Sequence, residues 1–318
     1  MQSSPKMVAN EKSISALGAN PPDNAPLGAA AAIGAFGIWA LFPIFFNQFG
    51  SQVSALEILL QRVIWAWVFL LAFVVLSGRW GRVAALFRRP KALLALAGSA
   101  LAISANWGIF IWAVTHGEIL QSSLGYYINP LFNVLLGYCF LGERPQPLQR
   151  LAIAVAGAGV LFSVIGYGQV PWLALILAVS FGIYGLIRKQ VETDSVTGLM
   201  VETMLLLPVA AGWLAVLYLR GEAVFLRFEA RTDLLLVGAG LITLLPLMLF
   251  AMAARRLRLT TLGFAQYIAP TGHFLLGVLL YGEPFTAADA VTFTCIWIGL
   301  AIYTADMWWA HRRSPGLR

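Results

Sequence analysis

Charge is what this chain has least of. Only 11% of its 318 residues are Asp, Glu, Lys or Arg, against about 25% in a soluble domain. That is too little to cover a globular surface with polar groups. Cysteine is scarcer still: Cys139 and Cys295 each sit inside an apolar run. Small buried thiols are expected there, and no disulfide or metal framework is implied. No phosphate-cradling G-x-x-x-x-G-K-S/T loop occurs, so no ATP-driven engine is expected within the chain. Neither an H-E-x-x-H nor a G-x-S-x-G pattern is present, and acidic residues inside the apolar runs stand singly. An enzyme, a cofactor and a metal centre are therefore all unexpected. The net charge of +7 comes from short clusters between apolar runs, which excludes nucleic acid as an expected partner.

What is abundant is apolar surface. Hydrophobic residues make up 60% of the chain and the mean hydropathy is +0.80. They fall in blocks of about 20 residues, the length that crosses about 30 Å of hydrocarbon as a helix. Ten such windows occur, at roughly 28–49, 55–77, 91–114, 119–141, 148–166, 168–187, 197–219, 233–254, 260–281 and 286–308. Gly166, Gly168 and Pro171 predict a tight turn between the fifth and sixth. Residues 1–27 are polar and read as a disordered cytoplasmic tail, and 309–318 as a cytoplasmic C-terminal tail. With the N-terminus inside, 17 of the 21 Lys and Arg lie in inner segments. Only Arg220, Arg227 and Arg231 lie outside, and Arg62 lies within a span. This is a strong positive-inside bias, consistent with both termini inside.

The chain also repeats itself. Tyr127 to Glu143 aligns without a gap on Tyr267 to Glu283, matching Tyr, Ile, Pro, two leucines, two glycines and Glu. Phe36-Gly37-Ile38-Trp39 likewise echoes Phe181-Gly182-Ile183-Tyr184, and in that register Glu57 falls on Glu202. Five spans per unit means that the second copy enters the membrane from the opposite side. The expected fold is an all-α integral membrane protein of ten transmembrane helices, N-in and C-in. Residues 28–166 form one five-helix repeat and 167–308 the inverted second, a design found in secondary transporters.

The run Glu57 to Trp65, the segment Asn106-Trp107-Gly108-Ile109-Phe110-Ile111-Trp112, the motif Ser123 to Leu131 and the stretch Gln266 to Thr271 resemble the RarD-type permeases. These are EamA-type members of the drug/metabolite transporter superfamily. The resemblance covers about residues 28–308. It implies a multi-pass protein of the bacterial inner membrane that exports or exchanges small metabolites or drug-like solutes. Gln61 stands where the family usually has histidine.

Candidate residues follow from the cost of polar groups in lipid. An arginine or aspartate at a helix centre costs about 2.5–3.5 kcal/mol on insertion scales. Arg62 and Glu57 in span 2 are thus expected along a solute path, unless Glu57 sits at the headgroups and Arg62 snorkels outward. Glu202, the repeat partner, is expected near the opposite mouth. Pro130 and Pro270 each remove an N–H and free the carbonyls of Tyr126 and Gln266, and such carbonyls at membrane depth need protein or cavity water. Tyr126, Pro130 and Asn133 share one helix face, answered by Gln266, Pro270 and His273. Tyr127, Asn129 and Tyr267 of the same motif complete that set, while Asn106 and Trp107 add an amide and an aromatic wall from span 3. Gly142-Glu143 and Gly282-Glu283 read as helix caps.

The expected function is a secondary active permease working by alternating access, driven by protons or by exchange. Alternatives are a channel or regulatory membrane protein without active transport and, after those, an intramembrane enzyme. The expected partners are a small-molecule substrate and the lipid bilayer, with a homodimer left open.

Overall fold

The computed structural model describes residues 25–142, 144–167, 170–254, 256–257 and 265–313. Among them every regular element is helical. The first span is α1 (Ala25–Ala40) and α2 (Phe42–Asn47), broken at Leu41 just before Pro43. Then come α3 (Ala55–Leu76), the short α4 (Trp80–Phe87), α5 (Pro90–Thr115), α6 (Ile119–Leu141) and α7 (Pro147–Tyr167). The second half holds α8 (Trp172–Gln190), α9 (Ser195–Arg220), α10 (Ala230–Ala254), α11 (Ile268–Leu275) and α12 (Ala287–Arg313). A π-helical stretch, Leu276–Leu280, extends α11.

Eight of these segments are long and apolar enough to cross a membrane. The other two expected spans are helical as well. α6 has 23 residues but carries Gln121, Ser122, Ser123, Asn129 and Asn133. The apolar segment at α11 covers only Ile268–Leu280; residues 258–264, which the ninth window includes, lie outside the described residues. So do residues 1–24 of the expected N-terminal tail, Gly168, Arg255, Arg258, Glu143 of the capping pair and residues 314–318. α1 and α12 each reach into the expected tails, beginning at Ala25 and continuing to Arg313.

Local chemistry sets the helix ends. Ser54 caps α3 by accepting from the Glu57 amide at 3.1 Å, and Asp194 caps α9 by accepting from the Thr197 amide at 3.1 Å. Gly142 ends α6 in the left-handed region at φ +67°, and Gly282 follows the Leu276–Leu280 stretch at φ +63°, as expected of C-terminal glycines. Glu283, however, serves another helix. Its two carboxylate oxygens accept from the amides of Ile119 and Leu120 at 2.7 Å each. It thereby neutralises the positive N-terminus of α6 rather than of the helix that follows it.

Long-range packing joins α7 with α12, α6 with α8 and α11, α10 with α1 and α3, α5 with α8 and α9, α3 with α9, and α11 with α1. Exchanging α1, α3, α5, α6 and α7 in order for α8, α9, α10, α11 and α12 returns these pairs, though not the smaller α6–α12 contact. The repeat-related Tyr127 and Tyr267 stack on each other where α6 meets α11, with ring centroids 6.4 Å apart.

The cysteines depart from expectation: Cys139 is exposed and Cys295 half-buried. An apolar run in a membrane protein has two apolar surroundings to choose from, and lipid accepts a thiol as readily as the bundle interior does.

Candidate functional site

The centre of the helix bundle is built around one cation. Arg62 lies in the second turn of α3, about 10 Å along the axis from its start, and is only 3% exposed. Its Nε donates to Thr243 Oγ1 of α10 at 2.8 Å. Its guanidinium lies 4.2 Å from the ring centre of Trp107, and 5.6 and 5.5 Å from those of Phe42 and Phe46. Nη1 has no hydrogen-bond partner among the described residues. The ion pairs found among those residues are Arg82–Asp194 and Arg188–Glu202, and neither includes Arg62. Gly240 permits this arrangement: a Cβ there would come within 2.5 Å of the α3 backbone at Trp65 and Ala66. Only a residue without a side chain lets α10 approach closely enough for Thr243, one turn on, to reach Arg62.

Around this cation the described residues form a shell. The Tyr126 hydroxyl donates to Asn106 Oδ1 at 3.2 Å. Asn106 is oriented in turn by donating to Leu177 O and Ser180 Oγ, both at 3.0 Å. His273 rests against Phe110 and Tyr126, with ring centroids 5.3 and 5.9 Å away, and Phe42 touches Phe110 from α2. His273 Nε2 lies 2.9 Å from the carbonyl oxygen of Trp39. That carbonyl is four residues before Pro43, which has no N–H to offer it. A neutral imidazole therefore donates from Nε2 and keeps Nδ1 as an acceptor. Nδ1 is buried with no partner among the described residues.

Of the expected site residues, Arg62, Asn106, Trp107, Tyr126 and His273 are thus brought together. Others are not. Asn133 is exposed, although its repeat partner His273 is 2% exposed. Tyr127 hydrogen-bonds to Thr271 Oγ1 at 2.7 Å and, with Tyr267, lies at the α6–α11 contact. Asn129 is buried with Oδ1 unpartnered among the described residues, and Gln266 is half-buried in the turn before α11. Pro130 lies inside α6, but Pro270 falls in the first turn of α11, where a missing N–H costs nothing. Its own carbonyl accepts from Ser123 Oγ at 2.8 Å.

The two repeat-related carboxylates lie away from Arg62's shell. Glu57 is fully buried, and its oxygens accept from the Val224 amide at 3.0 Å and the Phe225 amide at 3.0 Å. It ties the loop between α9 and α10 to the start of α3. Glu202 is also fully buried. Ser99 Oγ donates to its Oε1 at 2.5 Å and Arg188 Nε lies 3.7 Å away, while Oε2 is unpartnered among the described residues.

Thr243, Ser99, Phe42, Phe110 and Arg188 belong to these arrangements without having stood out in the sequence. The first two are lone hydroxyls in apolar runs, a weak signal, and Arg188 is one of the basic residues between apolar runs. A surface groove of about 480 Å³ is lined by Ala55, Leu56, Leu59, Gly108, Ile109, Trp112 and Leu173. It offers no charged group and is no rival to the buried centre.

Comparison with known proteins agrees with this architecture. Residues 26–165 match the EamA-like transporter family. A Vibrio cholerae protein described as an uncharacterized transporter is 46% identical over 283 residues, covering 89% of this chain and 93% of its own. Protein RarD of Salmonella typhi is 44% identical and that of Escherichia coli 43%, each over 287 residues, 90% of this chain and 97% of theirs. One crystal structure, 17% identical, superposes with a TM-score of 0.52 over 86% of this chain and 96% of that one, a likeness of fold alone.

Proposed function

Because the chain belongs to the RarD-type permeases of the EamA-like transporter family, we propose that it is a secondary active permease that moves small solutes by alternating access. It is a multi-span protein of the bacterial inner membrane, and its relatives' names point to a transporter rather than an enzyme. The proposal extends to ten spans in two inverted five-helix repeats, 28–166 and 167–308, with both termini inside. The exchange symmetry of the helix contacts and the Tyr127–Tyr267 stack support that arrangement.

One observation carries the functional reading. A buried cation at the junction of helices from both halves has no acidic partner among the described residues. Intramembrane charges of this kind mark solute or ion paths. Arg62, Trp107, Asn106, Tyr126 and His273 form the proposed solute site, with Asn129, Pro130, Asn133, Gln266, Tyr267 and Pro270 on the two helices that flank it. Glu57 and Glu202 close its two ends. Transport is driven by the proton gradient or by exchange of one solute for another.

The test is counterflow in proteoliposomes, with pooled metabolites inside and labelled pools outside, with and without a pH gradient. Saturable uptake that exceeds equilibrium and depends on Arg62 is the expected result. Flux that neither saturates nor accumulates identifies a channel instead.

A further inference from the structure

Resting on the transport role of the central site, we propose that its solute is an organic anion, held through a carboxylate by the free edge of the Arg62 guanidinium. The guanidinium uses its face against Trp107 and its Nε on Thr243. A stacked guanidinium keeps its in-plane N–H groups available, and that edge matches a carboxylate. Nη1 is buried and unpartnered among the described residues.

Among the described residues no ion pair supplies the missing negative charge. Glu57, on the same helix, is committed to the Val224 and Phe225 amides, and Glu202 to Ser99 and Arg188. A buried charge without a counter-ion is costly, and a carboxylate arriving with the solute relieves that cost at the binding step. Phe42, Phe46 and Phe110 give the neighbouring walls an apolar, aromatic character. Such walls suit an organic body better than a small hydrated ion. His273 Nδ1 stands ready to accept a hydrogen from a hydroxyl or amine on the same solute.

The experiment measures binding to the full-length purified protein by thermal stabilisation. Hippurate and phenylacetate are titrated beside their primary amides, with chloride and inorganic phosphate as separate arms. The acids are expected to stabilise the wild type saturably and the amides not. Arg62→Gln is expected to weaken acid binding about 10- to 100-fold, the size of a lost charge-assisted hydrogen bond. Arg62→Lys and Thr243→Val, each of which preserves the charge, should fall between and control for misfolding.

Equal binding of acids and amides, or acid binding untouched by Arg62→Gln, overturns the anion assignment. So does stabilisation by chloride or phosphate alone through Arg62, which identifies an inorganic ligand, and so does failure of every acid. None of these outcomes touches the transport reading, which stands or falls on the counterflow of mixed pools.

Discussion

Glu57 and Glu202 fall on each other in the sequence echo, and both are fully buried, yet they are held in different ways. Glu57 sits in the first turn of α3 with its two oxygens on main-chain amides of the α9–α10 loop. Glu202 lies two turns into α9 and is held by side chains alone, the Ser99 hydroxyl and Arg188. Amides held in a loop cannot swing away unless the loop moves, whereas a hydroxyl and a long arginine separate by rotation about single bonds. If the permease alternates access as proposed, the end at Glu57 is expected to act as a tie and the end at Glu202 as a gate that opens first.

The largest effect is expected at the gate. Glu202→Ala leaves Arg188, whose side chain is 13% exposed, without its partner and should cost about 3–5 kcal/mol in denaturant titration. Arg188→Met combined with Glu202→Leu should recover much of that stability, since apolar replacements of buried pairs are often neutral. It should not recover regulated transport; if it does, the pair is packing and not a gate. At the other end Glu57→Ala should cost less, about 1.5–3 kcal/mol, because the amides it leaves belong to a half-buried loop that water can reach. Hydrogen exchange at Val224 and Phe225 should accelerate, and unchanged exchange there would remove the tie from the comparison.

Two smaller effects sharpen the contrast. The Arg188 guanidinium occupies the space a Cβ at Gly198 would need, so Gly198→Leu should displace it from Glu202 at about 1–3 kcal/mol. Arg82 lies 3.7 Å from Asp194 with its side chain 65% exposed, and Arg82→Ala should change stability by at most about 1 kcal/mol. Burial pushes the Asp194 carboxyl up, but the Thr197 hydroxyl and amide and the charges of Arg79 and Arg82 outweigh it and hold it below 3.8. A lowered folded-state value means that its contribution is full above pH 3.8 and fades as pH falls through the lower value. Asp194→Asn should therefore flatten the acid limb of an unfolding-versus-pH curve.

The helices and their order were legible because apolar runs of span length and glycine or serine caps are local signals. Arg62 and Glu202 were legible because charge in lipid is rare. The partners they take were not. Thr243 reaches Arg62 across 181 residues, and nothing local distinguishes it from a threonine that bonds only its own helix. Asn133 and His273 match in the repeat, yet one is exposed and the other buried, because the halves meet different neighbours. Pro43 stands outside the repeated motif, although the carbonyl facing His273 is the one it frees.

Reciprocal access to the buried centre tests the account most directly. Thr243→Cys, in a chain whose Cys139 and Cys295 are replaced by alanine, puts one thiol beside Arg62. A membrane-impermeant thiosulfonate is then applied from either face of oriented vesicles. Adding Arg188→Gln is predicted to speed labelling from the face nearer Glu202 and to slow it from the other. Adding Glu57→Ala should do the reverse. Labelling that rises from both faces together, or changes at neither, contradicts alternating access around Arg62.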